Sequence, residues 1–151
     1  MNLYQFDWKI PNVVGHSLDP LSKKAKVDDT EGFGAFDSIL NSCSLGNRCI
    51  DIGGGEHDFN AAYCFHKYLI ELSVLDPYMR SKEHNKKVLQ TASVKPFDSC
   101  TSISVLNVIN LKRSRLEHIR LCKDVVKECG KVFFKVRSEE RRVGKECLRL
   151  C

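Results

Sequence analysis

Asp51 stands two residues ahead of three consecutive glycines, Gly53, Gly54 and Gly55, and a second acid, Asp76, follows 21 residues after the last of them. Glycines let a backbone approach a ligand with no Cβ in the way, and a helix that begins just beyond them offers free N–H groups. An acidic side chain about 20 residues further on, closing the next strand, is placed to accept the hydroxyls of a ribose. The chemistry these types and spacings allow is the holding of a nucleoside-containing cofactor across two neighbouring strand ends. A tight strand-to-helix turn with no ligand is the plainer alternative for the glycines alone; the two acids in register argue against it.

The elements around these residues follow from pattern. Arg48–Ile52 is a short apolar run and predicts a buried strand, with Phe59–Tyr68 as the helix after the glycines. Residues 69–75 predict a second strand ending at Asp76. Residues 81–90 predict a polar helix with Ser81 as N-cap. Residues 97–109 predict a further strand and the loop that leaves it. Leu116, Ile119, Cys122, Val125 and Val126 step by three or four, so residues 116–129 predict a helix with one apolar stripe and Gly130 as its cap. Residues 131–136 are β-branched and aromatic and predict a last strand. The alternation predicts an α/β fold, a mostly parallel sheet with flanking helices. The Arg48 strand is expected at its centre, with the Leu69 strand on one side and the Ser99 strand on the other. Residues 1–47, rich in Pro, Gly and charge, predict a lid or edge segment with a short helix over residues 34–43. Trp8, His16 and Phe33 either line a substrate wall there or only cover the sheet edge.

The run Asp51-Ile52-Gly53-Gly54-Gly55 resembles the first motif of class I S-adenosylmethionine-dependent methyltransferases, Asp/Glu-x-Gly-x-Gly. The segment from Phe97-Asp98 to Val105-Leu106-Asn107-Val108-Ile109 is similar to the family's fourth strand and following loop, and the likeness in element order covers residues 48–136. The resemblance implies a Rossmann-like cofactor-binding domain with S-adenosylmethionine as cofactor. It places Asp51, Gly53, Gly54 and Gly55 around the methionine part, Asp76 on the ribose and Asn107 beside the transferred methyl. The cofactor's ammonium and sulfonium suit acidic neighbours. His57 stands where many members carry a third glycine, which alters the loop. The family's third strand has only residues 92–94 to supply it here, limited by Pro96, so it is expected to be vestigial or absent.

Two other readings stay open. One is a non-catalytic cofactor-binding module of the same fold. The other is a dinucleotide-binding oxidoreductase, but that fold asks for glycine at position 58, where Asp58 would face a pyrophosphate. For the methyltransferase reading, the enzyme's task is to position an acceptor and, for some acceptors, to remove a proton. The Pro-Pro-aromatic motif of base N-methyltransferases and the Pro-Cys pair of cytosine-C5 enzymes are both missing. The acceptor is therefore expected to be a small molecule or a macromolecule-linked group. Asn107 can orient it by hydrogen bonding but is no base at neutral pH. His16 and His57 are the candidate bases, with an ordinary loop histidine as the plainer reading of each.

Arg137 to Cys147 reads Arg-Ser-Glu-Glu-Arg-Arg-Val-Gly-Lys-Glu-Cys and resembles the in-frame translation of a widely used short-read sequencing adapter. Residues 137–151 are accordingly expected to be a non-native tail, excluded from fold reasoning. The natural sequence would then continue past Val136, leaving the sheet incomplete at its C-terminal edge and the last strand open to pairing. The formal net charge is +5, and the tail contributes five cations against three carboxylates. The remainder is too small to argue for nucleic acid. No run approaches the roughly 18 apolar residues of a membrane span, and no basic stretch with an apolar core follows Met1. None of the six cysteines before the tail forms a Cys-x-x-Cys pair. A reducing, cytoplasmic setting is expected, with no metal site, since His57, Cys64 and His66 would have to cooperate to make one.

Overall fold

The computed structural model describes residues 29–56 and 58–136, with residues 29–33 by backbone alone. The elements run α1 (Asp29–Leu40), β1 (Arg48–Ile52), α2 (Phe59–Tyr68), β2 (Glu71–Leu75), α3 (Lys82–Val94), β3 (Phe97–Ile103), α4 (Lys112–Asp124) and β4 (Val126–Lys135). The strands form one sheet in the order β2-β1-β3-β4, parallel at every pairing. The architecture is α/β and Rossmann-like. As the sequence predicts, β1 lies between β2 and β3, and the strand order reverses beside it.

Both faces of the sheet are covered, and β1 is buried from Cys49 to Ile52. Successive side chains point to opposite faces. Ile50 and Ile52 pack with Leu89 and Ala92 of α3 and with Leu121 and Cys122 of α4. Cys49 joins Phe36, Leu45, Cys64, Ile70 and Leu72 on the face of α1 and α2. Asp37 ties α1 to α2, accepting from the hydroxyls of Tyr63 and Tyr68 and from Lys67 Nζ.

Several boundaries differ from expectation. Helix α1 starts at Asp29 rather than 34, so Gly32 and Gly34 lie inside it. Each internal glycine costs a helix about 1 kcal/mol, and the full burial of Phe36, worth about 1.5–3 kcal/mol, offsets that. Helix α3 runs on to Val94 and absorbs residues 92–94, so no third strand forms there. Ala92 is buried in the core, which favours continuing the helix over starting a strand before Pro96. Helix α4 ends at Asp124, and Gly130 is not its cap. Instead, Val125 O accepts from Phe97 N at 2.9 Å and the chain enters β4 at once. Gly130 lies in β4, where the register slips between Phe97↔Val126 and Ser99↔Lys131. Cys129 has φ 60, and a Cβ on Gly130 would come 2.8 Å from Lys127 O, so the glycine serves this bulge. The inner stripe of α4 is also rotated: Ser114, His118, Leu121 and Cys122 are buried, whereas Leu116 is exposed. His118 turns inward because Nε2 meets Ser102 Oγ of β3 at 2.7 Å. β4 is half-buried and ends the sheet among the described residues.

Trp8, His16, His57, the Phe33 side chain and residues 137–151 lie outside the described residues. Among the described residues no helix is long and apolar enough to cross a membrane.

Candidate functional site

The carboxyl ends of β1 and β2 bring Asp51, Gly53, Gly54, Gly55 and Asp76 together. Asp51 is paired in register with Val74 of β2 and Thr101 of β3. Its side chain therefore meets Thr101, whose Oγ1 donates to Asp51 Oδ1 at 2.8 Å. Asp51 is buried, and burial pushes its carboxyl up to about 7; the Thr101 bond opposes the shift, and the charge of Asp76 adds to it.

The three glycines have different reasons. Gly53 turns the chain with φ 87, and its N–H donates to Leu75 O at 2.7 Å. A Cβ there would lie 2.3 Å from Val105 Cγ2, so the loop after β3 closes over it. A Cβ on Gly54 would lie 2.6 Å from Asp51 Oδ2 and 2.8 Å from Val74 Cγ1. Gly55 has φ 84, and among the described residues nothing lies within 4 Å of where its Cβ would stand. Gly53 and Gly54 make room for the protein's own atoms; Gly55 is where the turn leaves room for something else.

Asp76 is held more firmly than spacing alone suggests. Oδ1 accepts from Tyr78 N and Met79 N, each at 3.0 Å, and Oδ2 accepts from Gly55 N at 2.9 Å. Three of a carboxylate's roughly four lone-pair positions are thus filled, and the one remaining is on Oδ2. Asn85 grips the backbone of the same residue, accepting from Asp76 N at 3.1 Å and donating to Asp76 O at 2.8 Å. His84 Nε2 meets Val74 O at 2.8 Å, and Ser81 caps α3 by accepting from His84 N. The segment after β2 thus uses its polar side chains to fix the end of that strand.

Arg80 completes the frame. Its Nε donates to Gly55 O at 2.8 Å, and its Nη2 pairs with Asp58 Oδ1 at 2.8 Å. The carboxylate at position 58 is therefore half of an ion pair, which softens the charge objection to a phosphate made on sequence grounds. Asn107 sits exposed in the turn after β3, two residues beyond the Val105 that covers Gly53. It belongs to the same end of the sheet.

Sequence reasoning missed Arg80, Asn85 and Thr101. Asn85 and Arg80 had a faint signal, being polar residues close behind an acid that ends a strand. Thr101 had none, since its partnership with Asp51 depends on the register between β1 and β3. The described residues contain no group of three or more His, Cys, Asp or Glu placed to hold a metal, and their six cysteines are free thiols. Compared with protein-family models and with curated proteins, the chain matches none.

Proposed function

We propose that the chain binds S-adenosylmethionine and acts as a methyltransferase on a small-molecule or macromolecule-linked acceptor. The observation that carries this reading is the pair of carboxylates, Asp51 and Asp76, held at the ends of adjacent parallel strands around a glycine turn. The pair lies beside the point where the strand order reverses, the place at which open α/β sheets take their ligands. Two acids there favour a cationic ligand over a pyrophosphate.

The residues present fit that cofactor. The open side of Gly55 leaves room for its methionine part, and the remaining lone pair of Asp76 Oδ2 can accept one ribose hydroxyl. Asp51, half-ionised near neutral pH, becomes fully charged beside an ammonium. When bound, the cofactor supplies the methyl group. The chain's own part is to orient: Asn107 at the mouth of the site can hold an acceptor by hydrogen bonding, and His16 or His57 would take a proton where the acceptor must lose one. Free cysteines accord with a cytoplasmic setting.

Calorimetry with S-adenosylhomocysteine and, separately, NAD tests the reading. Saturable binding of the first without the second supports it. Binding of NAD alone would assign the site to the dinucleotide class. Binding of S-adenosylhomocysteine without methyl transfer to any acceptor offered would point to the non-catalytic module.

A further inference from the structure

Gly55 is gripped at both of its backbone groups by side chains from the segment after β2. Its N–H donates to Asp76 Oδ2 at 2.9 Å, and its carbonyl accepts from Arg80 Nε at 2.8 Å. Among the described residues nothing packs within 4 Å of its Cβ position, and the two charged side chains hold its backbone groups in place. The Arg80 side chain is only 10% exposed, while its partner Asp58 is 74% exposed. A guanidinium so withdrawn from water makes strong, directional bonds. Its fork reaches two separate partners at once, which the single ammonium of lysine cannot reproduce. The backbone N–H of Arg80 also donates to Asp76 O at 3.1 Å, which ties the residue carrying the clamp to the acid.

Resting on the cofactor reading above, we propose that Arg80 is a positioning residue of this site, fixing the glycine turn where it faces the amino-acid part of the ligand. Arg80 also pairs with Asp58 beside the same turn. Its loss therefore weakens the hold on the part of the ligand over the glycine turn and spares the hold on the nucleoside.

The test compares two ligands on the full 151-residue chain. S-adenosylhomocysteine carries the amino-acid part; 5′-methylthioadenosine is the same nucleoside thioether without it. In Arg80→Met, calorimetric affinity for S-adenosylhomocysteine is expected to fall by about tenfold or more, the scale of one charge-assisted hydrogen bond. Affinity for methylthioadenosine should change little, and Arg80→Lys should recover only part of the loss. A role in stability alone would move both ligands together. Equal losses for the two ligands, or none, would overturn the proposal. Should Arg80→Met fail to fold, Arg80→Lys reads the same ratio: a selective loss for S-adenosylhomocysteine supports the role and an unchanged ratio overturns it. If the wild-type chain binds neither ligand, the cofactor reading fails and takes this role with it. If the wild type binds both and the ratio is unchanged in the variants, only the role of Arg80 fails.

Discussion

At the residue scale, Asp51 sets the clearest expectation. Its carboxyl is raised from 3.8 to about 7 in the folded chain, chiefly by burial. The folded state therefore holds a proton that the unfolded state has released across that interval. The stability associated with it is fully present below pH 4 and is lost as pH rises through 7. Asp51→Asn should remove this trend, so the stability of the variant relative to wild type should climb between pH 4 and 7. The expected span is on the order of a few kcal/mol, read by urea unfolding at several pH values. A parallel pH profile for the two proteins would contradict the burial of Asp51. The glycines make a second test. Among the described residues Gly55→Ala meets only its φ of 84, whereas Gly53→Ala meets φ 87 and a contact at 2.3 Å with Val105. The first should cost about 1–3 kcal/mol and the second at least about 1 kcal/mol more, measured in the same way. Asp51, the glycines and Asp76 were legible because their spacing along one stretch of chain carries the signal. Thr101 and the double grip on Gly55 were not, because they arise only when separate strands come into register.

At the element scale, the strands and the first helix after the glycines could be read because they are short, strongly patterned and bounded by turn residues. Arg48–Ile52 and Phe59–Tyr68 are bounded as the sequence predicts. The stripe through Leu116 and Ile119 does not mark the inner face of helix α4, because Ser102 gives the polar His118 a buried partner there. Gly130 looked like a helix cap because a bulge and a cap ask for similar backbone freedom. The β2–α3 connection depends on Asn85, which satisfies both backbone groups of Asp76 while itself buried. Asn85→Ala should therefore destabilise the fold by about 1–3 kcal/mol, a drop of several degrees in Tm. A Tm within a degree of wild type would show that solvent replaces this grip. β4 pairs with β3 from Phe97 to Ile103. A chain ending at Gly130 should lose cooperative thermal unfolding, since Val132 and Phe134 then leave the core they pack against.

At the scale of the whole molecule, the sheet order β2-β1-β3-β4 places every candidate site residue that the structure describes at one end of the sheet. That convergence, rather than any single side chain, is what the functional reading rests on. The tail enters only through its sequence. If residues 137–151 derive from an adapter, they were never selected to pack here, and deleting them should shift Tm by no more than about 2–4 °C. A larger loss would show that they act as part of the fold. The most direct test of the central claim is an amide chemical-shift titration of the full chain with S-adenosylhomocysteine. A ligand lying across the ends of β1 and β2 should perturb the amides of Asp51, Gly53, Gly54, Gly55 and Asp76 in a saturable way, and leave Arg48 and Glu71, at the opposite ends of those strands, unchanged. No saturable shifts, or shifts confined to the ends at Arg48 and Glu71, would contradict it.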